Sequence, residues 1–257
     1  MRGRLSISRV SRLGLAAYRM YLKLPLPVKL LIITLLLGRI LWRSGDIVLV
    51  STVFGLLAFP ASYASAFKTL KFKGYEALEG YIKSSKFLDV GAGAGDTSLY
   101  AWAHGASYVK AVEPDPLMSR LLKLNMRMNG VKADVVAKCA GSKFIKVDWN
   151  KGALSLEKCE GISWEELLRE GFDVVKVDCE GCEYTLEKEH LRRAPTWLIE
   201  VHGDLREFLK NILEGYNVEV IACSRDSSTL KQLTLIMARK AVKHDPPQAS
   251  QSLSGRA

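Results

Sequence analysis

The stretch Phe87-Leu-Asp-Val-Gly-Ala-Gly-Ala-Gly-Asp-Thr97 constrains this chain more than any other segment. An apolar run breaks into three alternating glycines, followed by an acid, a hydroxyl residue and a helical pattern. That order spells a strand, a tight turn and a helix start. Glycines at 91, 93 and 95 let the backbone take positive φ and come close to a ligand. Eighteen residues after Gly95, the apolar segment Tyr108–Val112 ends in Glu113-Pro-Asp-Pro116. An acid at the tip of the next strand stands where a nucleotide's ribose hydroxyls would be gripped. Loop and acid together predict a β-α-β unit with a nucleoside-cofactor site. The alternative, a plain tight turn with a solvated loop acid, explains the loop but not the motifs downstream.

Two cofactors fit such a unit, a nicotinamide dinucleotide or S-adenosylmethionine. The dinucleotide fingerprint G-x-G-x-x-G needs a third glycine near the pyrophosphate. Counted from Gly91 and Gly93, that position is Asp96. An anion at a helix N-terminus would repel a pyrophosphate placed there. S-adenosylmethionine carries no phosphate but has an α-amino group and a sulfonium, which Asp89 and Asp96 suit.

A second constellation is Phe172-Asp-Val-Val-Lys-Val-Asp-Cys-Glu-Gly-Cys-Glu-Tyr184. Residues 172–177 form a β-branched run, the composition of a buried parallel strand. Asp178, Glu180 and Glu183 follow its C-terminal end. Thr196-Trp-Leu-Ile-Glu-Val-His202 is another such strand, with Glu200 and His202 at its end. Ligands of open α/β sheets bind at the carboxyl ends of strands, so these acids and the glycine loop should face one crevice.

The glycine loop and Val-Lys-Val-Asp-Cys-Glu-Gly-Cys-Glu, with Val-Glu-Pro-Asp-Pro and Ile-Glu-Val-His, make the chain resemble the FkbM-like class I methyltransferases. The pattern K-[IV]-D-x-E-G-x-E is the specific element, and Ile162-Ser-Trp-Glu-Glu-Leu-Leu168 resembles the family's helix before that strand. The resemblance covers about residues 71–240, more loosely from about 46. The chain departs in carrying Gly93 where the family often has Asn, and Cys at both variable motif positions. The resemblance implies an α/β, Rossmann-like fold: a seven-stranded mixed sheet with helices on both faces. It also implies S-adenosyl-L-methionine as cofactor and methylation of a hydroxyl on a sugar, glycolipid or other small molecule. Asp89, Gly91, Gly93, Gly95, Asp96 and Thr97 would line the methionine and ribose side, and Glu113 would hold the ribose hydroxyls. Lys138 and Cys139, after a third strand at 133–137, would lie near the adenine, and Asp178 near the reacting methyl.

An alcohol acceptor must lose its proton as the new bond forms. Asp178, Glu180, Glu183 and His202 are the candidate bases, with Asp178 and His202 favoured and no firm assignment between them. Glu180 precedes a glycine and could instead shape the turn or bind the acceptor. Each has a structural reading too: His202 as a strand cap, Glu183 as the first residue of a helix at 183–191, and Lys176 as the partner of an acid. Cys179-Glu-Gly-Cys182 is formally C-x-x-C, but Cys139, Cys159 and Cys223 show no zinc spacing. Packing is the expected role of these thiols, and five cysteines without a disulfide framework suit a reducing interior. No metal motif is visible; a divalent cation in the acid cluster is the minor alternative.

Nine of the 37 Lys/Arg fall in residues 1–45, with no acid before Asp46, so the remaining 28 basic and 27 acidic side chains nearly cancel. A near-neutral catalytic part weighs against a nucleic-acid footprint across it. A basic, apolar leader suits peripheral contact with anionic lipid. Residues 47–67 are uncharged and of span length, yet hold Gly55, Pro60 and five hydroxyl side chains. They are read as a hairpin, 46–53 with 54–59, rather than a membrane span. The expected organisation is a helical extension at 1–45, a hairpin and linker at 46–70, a methyltransferase domain at 71–240 and a disordered tail at 241–257. Within the domain, 143–156 reads as an inserted hairpin around Asn150-Lys-Gly152, and 217–222 and 230–238 as the last strands. The expected location is cytoplasmic with membrane association, and the sequence fixes no oligomeric state. Three rivals stand beside this reading: a methyltransferase acting on RNA or protein recruited by the leader, a non-catalytic S-adenosylmethionine-binding module, and a nicotinamide dehydrogenase.

Overall fold

The computed structural model describes residues 24–66, 75–141, 143–148, 153–202, 208, 216–225 and 232–240. The leader before residue 24 and the tail 241–257 lie outside the described residues. The chain begins with helix α1 (Leu26–Leu36) and three strands, β1 (Arg39–Ser44), β2 (Ile47–Thr52) and β3 (Gly55–Pro60). A 3-10 turn (Ala61–Ala66) follows, then a second (Tyr75–Leu78) leading into the short helix α2 (Glu79–Ile82). The glycine loop joins β4 (Lys86–Val90) to α3 (Asp96–Ala103), and β5 (Tyr108–Val112), α4 (Pro116–Met128) and β6 (Ala133–Val136) complete the first half. Next come β7 (Cys139–Ala140), the hairpin β8 (Lys143–Asp148) and β9 (Ala153–Lys158), β10 (Gly161–Ile162) and helix α5 (Trp164–Leu168). The second half has β11 (Val174–Val177), a 3-10 turn (Cys182–Thr185), α6 (Lys188–Leu191), β12 (Thr196–His202), β13 (Tyr216–Arg225) and β14 (Gln232–Lys240).

Seven strands form the main sheet in the order β13-β14-β12-β11-β4-β5-β6. β6, β5, β4, β11 and β12 run parallel, and β14 lies antiparallel between β12 and β13. The chain leaves β4 toward β5 and β6, then returns to β11 on the other side. β4 and β11 therefore flank the switch point, where open sheets hold their ligands. Every residue of β11 is buried, as its β-branched composition requires of a strand covered on both faces. Alternation splits the core. Leu88, Val175 and Trp197 pack with α5 and α6 through Trp164, Leu167 and Leu191. Phe87, Val174 and Leu198 pack with Tyr75, Ile82 and Tyr100 on the opposite face.

Local signals set the helix ends. The Asp115 carboxylate accepts hydrogen bonds from Leu117 N at 2.9 Å and Met118 N at 3.0 Å, and Pro116 starts α4. Ser163 caps α5 by accepting from Glu166 N.

The first three strands form their own antiparallel sheet, order β1-β2-β3. The segment 46–59 is thus the β2–β3 hairpin rather than a helix, and no described helix is long and apolar enough to cross a membrane. The helical extension expected up to residue 45 ends earlier. Gly38, at φ +137°, closes α1, and residues 39–44 join the sheet as β1. Val48, Val50, Leu57 and Phe59 bury against Leu121, Leu122 and Met126 of α4, so this sheet is fastened to the main domain.

Two side-chain amides, Asn125 in α4 and Asn129 at its C-cap, complete the join by pairing with the backbone of β3. The Asn125 amide donates to Ala58 O and Ala94 O and accepts from Ala58 N, so one buried side chain links β3 to the glycine loop. One turn later, Asn129 donates to Leu56 O at 2.6 Å and accepts from Leu56 N at 2.8 Å. Replacing Asn129 with Ala strands two partly buried backbone groups and should cost about 1–2 kcal/mol. Urea denaturation would measure the loss, and a variant matching the native midpoint would show that this clip contributes nothing.

The expected cysteine state is overturned. Cys139 pairs with Cys159 and Cys179 with Cys182 as disulfides. The first follows from parallel pairing of β7 with β10, which sets Cys139 opposite Gly161. The second follows from the turn between β11 and Cys182–Thr185, which brings the two Cα atoms to 5.5 Å.

Candidate cofactor and catalytic site

The glycine loop needs glycine for two separate reasons. A Cβ on Gly91 would stand 1.8 Å from the carbonyl oxygen of Asp178, so β4 and β11 approach here backbone to backbone. A Cβ on Gly93 would stand 2.0 Å from the Tyr63 hydroxyl, and Gly93 sits at φ +56°. The Gly93 N–H donates to Glu113 Oε2 at 2.7 Å, while Asp115 N donates to Oε1 at 2.8 Å. The structure thus brings the acid at the tip of β5 directly to the loop. Burial lifts the Glu113 pKa to about 7, against the pull of those two N–H groups. Asp96 and Thr97, at the start of α3, are buried beside the same loop.

Asp89 stands apart from this mouth. It is 0% exposed; Ser98 donates to its Oδ2 at 2.7 Å, and the Lys176 ammonium lies 3.0 Å from its Oδ1. Lys176 also donates to Gly91 O at 2.8 Å. Burial works against the ammonium, but Asp89, Tyr75 and Asp178 together outweigh it and hold the lysine charged. The pair fastens β11 to the first glycine of the loop. Lys138 and Cys139 follow the C-terminal end of β6. Lys138 pairs with Glu160 at 2.6 Å, and Cys139 is buried in its disulfide.

The acids after β11 and β12 converge. Glu183 is buried inside the turn: its Oε2 accepts from Gly181 N at 2.7 Å, and its Oε1 accepts from His202 N at 2.9 Å and lies 3.0 Å from His202 Nδ1. The helix expected at 183–191 is correspondingly broken into a 3-10 turn and α6, because Glu183 turns inward instead of facing solvent. His202 Nε2 faces Glu180 Oε2 at 3.3 Å, Asp178 Oδ1 at 3.7 Å and Glu200 Oε1 at 3.7 Å. Burial alone would depress the imidazolium, but Glu180, Glu183 and Asp178 lift its pKa to about 11. The carboxylates are the candidate proton acceptors here, and of them Asp178 and Glu180 are half-buried while Glu183 and Glu200 are buried.

Two tyrosines join the site that motif reading missed. Tyr63 is buried over the loop, and burial together with Asp96, Glu113, Asp178 and Asp89 raises its pKa well above normal. Tyr75 is buried near Lys176, Asp178 and Glu200, and burial raises its pKa too. The available signal was an aromatic hydroxyl inside the small-residue run Ala61-Ser-Tyr-Ala-Ser-Ala66.

No protein-family model matches the sequence. A 51-residue stretch is 37% identical to the electron transfer flavoprotein beta subunit lysine methyltransferase of Xenopus laevis, covering 20% of this chain. The chain spans only 21% of the length of that curated relative. Among solved structures, Methanocaldococcus jannaschii Trm5 in complex with adenosine matches with a TM-score of 0.51 at 10% identity, over 78% of this chain and 57% of that one. M. jannaschii TYW2 in complex with AdoMet matches at a TM-score of 0.44 and 15% identity, over 79% and 90%. With its strand order and antiparallel penultimate position of β14, the chain has the Rossmann-like fold of the class I methyltransferases.

Proposed function

We propose that the chain is an S-adenosylmethionine-dependent methyltransferase of FkbM-like type. The observation that carries this reading is the Glu113 carboxylate held at the mouth of the glycine loop by the Gly93 N–H. That arrangement fits a ribose diol, and Asp96 beside it fits a cationic amino acid end better than a pyrophosphate. When bound, the cofactor supplies an activated methyl on a sulfonium. The chain's own residues align and exclude water: Glu113 orients the ribose side, Tyr63 covers the loop, and Asp178 stands at the strand end beside Gly91. The 51-residue stretch that is 37% identical to a methyltransferase supports the same class.

For the acceptor, the carboxylates around His202 suit removal of a proton from a hydroxyl, which supports oxygen methylation of a sugar, glycolipid or other small molecule. The lysine methyltransferase relative supports a second reading, a protein acceptor. Exposed Leu31, Leu35, Leu41 and Trp42 follow the basic leader in the chain and support the proposed peripheral contact with a membrane surface.

Calorimetric titration with S-adenosylhomocysteine tests the cofactor reading. Micromolar one-to-one binding is expected, and a folded chain that binds NAD instead would overturn it. The Glu113 pKa adds a pH signature. Ribose hydroxyls donate to the ionised carboxylate, so binding draws the proton off, and affinity falls as pH drops below about 7. The expected dissociation constant at pH 6 is about tenfold that at pH 8, and Glu113→Gln should flatten the profile. Folding shows the opposite slope: a raised carboxyl pKa makes stability decline as pH rises from about 4.5 to about 7. A native profile as flat as the variant's would remove Glu113 from the site.

A further inference from the structure

We propose that the ends of β11 and β12 form a site for a divalent cation, held by Asp178, Glu200 and Nε2 of His202. One carboxylate oxygen from each acid and the imidazole nitrogen lie within 4.8 Å of one another. The independent observation is the imidazole. The His202 side chain is 5% exposed, and its buried Nε2 makes no hydrogen bond although carboxylates stand on three sides. Its other nitrogen is committed: Nδ1 faces Glu183 Oε1 at 3.0 Å, and Glu183 is itself fixed by Gly181 N and His202 N. A carboxylate that orients one imidazole nitrogen so that the other points at an ion is the usual outer support of a metal-binding histidine.

The spacing agrees. Metal–nitrogen and metal–oxygen bonds of about 2.0–2.2 Å set neighbouring donors roughly 3.0–4.3 Å apart. Nε2 stands 3.7 Å from both Asp178 Oδ1 and Glu200 Oε1. Glu180, at 3.3 Å from Nε2, is a fourth donor within reach. One imidazole with two or three carboxylates selects Mn²⁺ or Zn²⁺ over Mg²⁺ and Ca²⁺, which prefer all-oxygen sets. The donors come from two strands and are 22 and 24 residues apart in the pairs Asp178–Glu200 and Asp178–His202, so no short motif announces them. The ion would sit beside the strand end that carries the glycine loop, where an acceptor oxygen could complete its coordination in place of Glu180. Only that last step, an acceptor oxygen bound to the ion, rests on the methyl-transfer reading.

The test uses the full chain freed of metal with EDTA. MnCl₂ and ZnCl₂ are titrated by calorimetry, and free Mn²⁺ is followed by electron paramagnetic resonance, with MgCl₂ as the comparison. One ion per chain with micromolar affinity is expected, weakened at least tenfold in Glu200→Gln and in His202→Gln and unchanged in the exposed control Glu166→Gln. Because His202→Gln also loses the Glu183 contact, each variant is checked by circular dichroism, and Glu200→Gln decides if His202→Gln unfolds. No saturable binding by the folded native chain, or native affinity in Glu200→Gln, overturns the site. S-adenosylhomocysteine is titrated into the same samples: cofactor binding without cation binding removes this proposal alone, and cation binding without cofactor binding removes the methyltransferase reading alone.

Discussion

Replacing Lys176 with Met should destabilise the protein by about 3–5 kcal/mol, the largest loss expected from any one side chain outside the apolar core. The reason is what remains. Asp89 is wholly buried, and without the ammonium its charge keeps only the Ser98 hydroxyl. Asp89→Asn leaves the complementary problem, an ammonium sealed beneath the loop with Gly91 O as its nearest acceptor. Removing both charges, in Asp89→Asn with Lys176→Met, should recover most of the loss, because a buried ion pair offsets little more than its own desolvation. Urea denaturation of the two single variants and the double variant measures this coupling. Single losses under about 1 kcal/mol, or a double variant no better than the worse single, would mean that the pair is not what holds β11 to β4.

That pair also shows what a sequence can and cannot disclose. Asp89 was legible as an acid beside a glycine loop, and an acid there reads as a ligand for a cationic group. Its partner, Lys176, lies 87 residues away on the strand that joins β4 only after the chain has crossed the sheet. Register, not local pattern, decides that the two meet. The loop and Glu113 were legible because their chemistry is local: positive φ at a strand end, and one acid at the tip of the next strand. The strands expected at 172–177 and 196–202 were legible from β-branched composition, the first beginning at Val174, and the convergence of their terminal acids from the switch-point rule.

The misread elements share the opposite property. β1 was taken as the end of a helix because its apolar residues continue those of α1, and one residue, Gly38, divides them. Glu183 was read as a candidate base or as the first residue of a helix at 183–191, yet it is buried in a turn because two N–H groups and an imidazole converge on it from β12 and its own turn. The cysteines looked unpaired because the Cys139–Cys159 bridge depends on β7 meeting β10, each only two residues long. Tyr63 enters the site from a segment whose composition spoke only of a turn. In each case a contact distant in sequence overrides the local preference.

Gly93→Arg should abolish cofactor binding on the proposed reading, a loss of more than about a hundredfold in affinity for S-adenosylhomocysteine. Three effects coincide at this residue. Its φ of +56° costs any L side chain about 1–2 kcal/mol. Its Cβ would stand 2.0 Å from the Tyr63 hydroxyl, so Tyr63 or the loop must move. Its N–H orients Glu113, so a displaced loop releases the carboxylate that would hold the ribose. A cationic side chain would also draw Glu113 and Asp96 to itself. The smaller change Gly93→Ala separates these effects. In a cycle with Tyr63→Ala, the backbone cost remains while the clash disappears, so the double variant should be more stable than the two single losses add up to. Additive losses would place Tyr63 elsewhere than over the loop. An arginine variant that is folded by circular dichroism and still binds S-adenosylhomocysteine like the native chain would show that the ligand does not lie on this glycine loop.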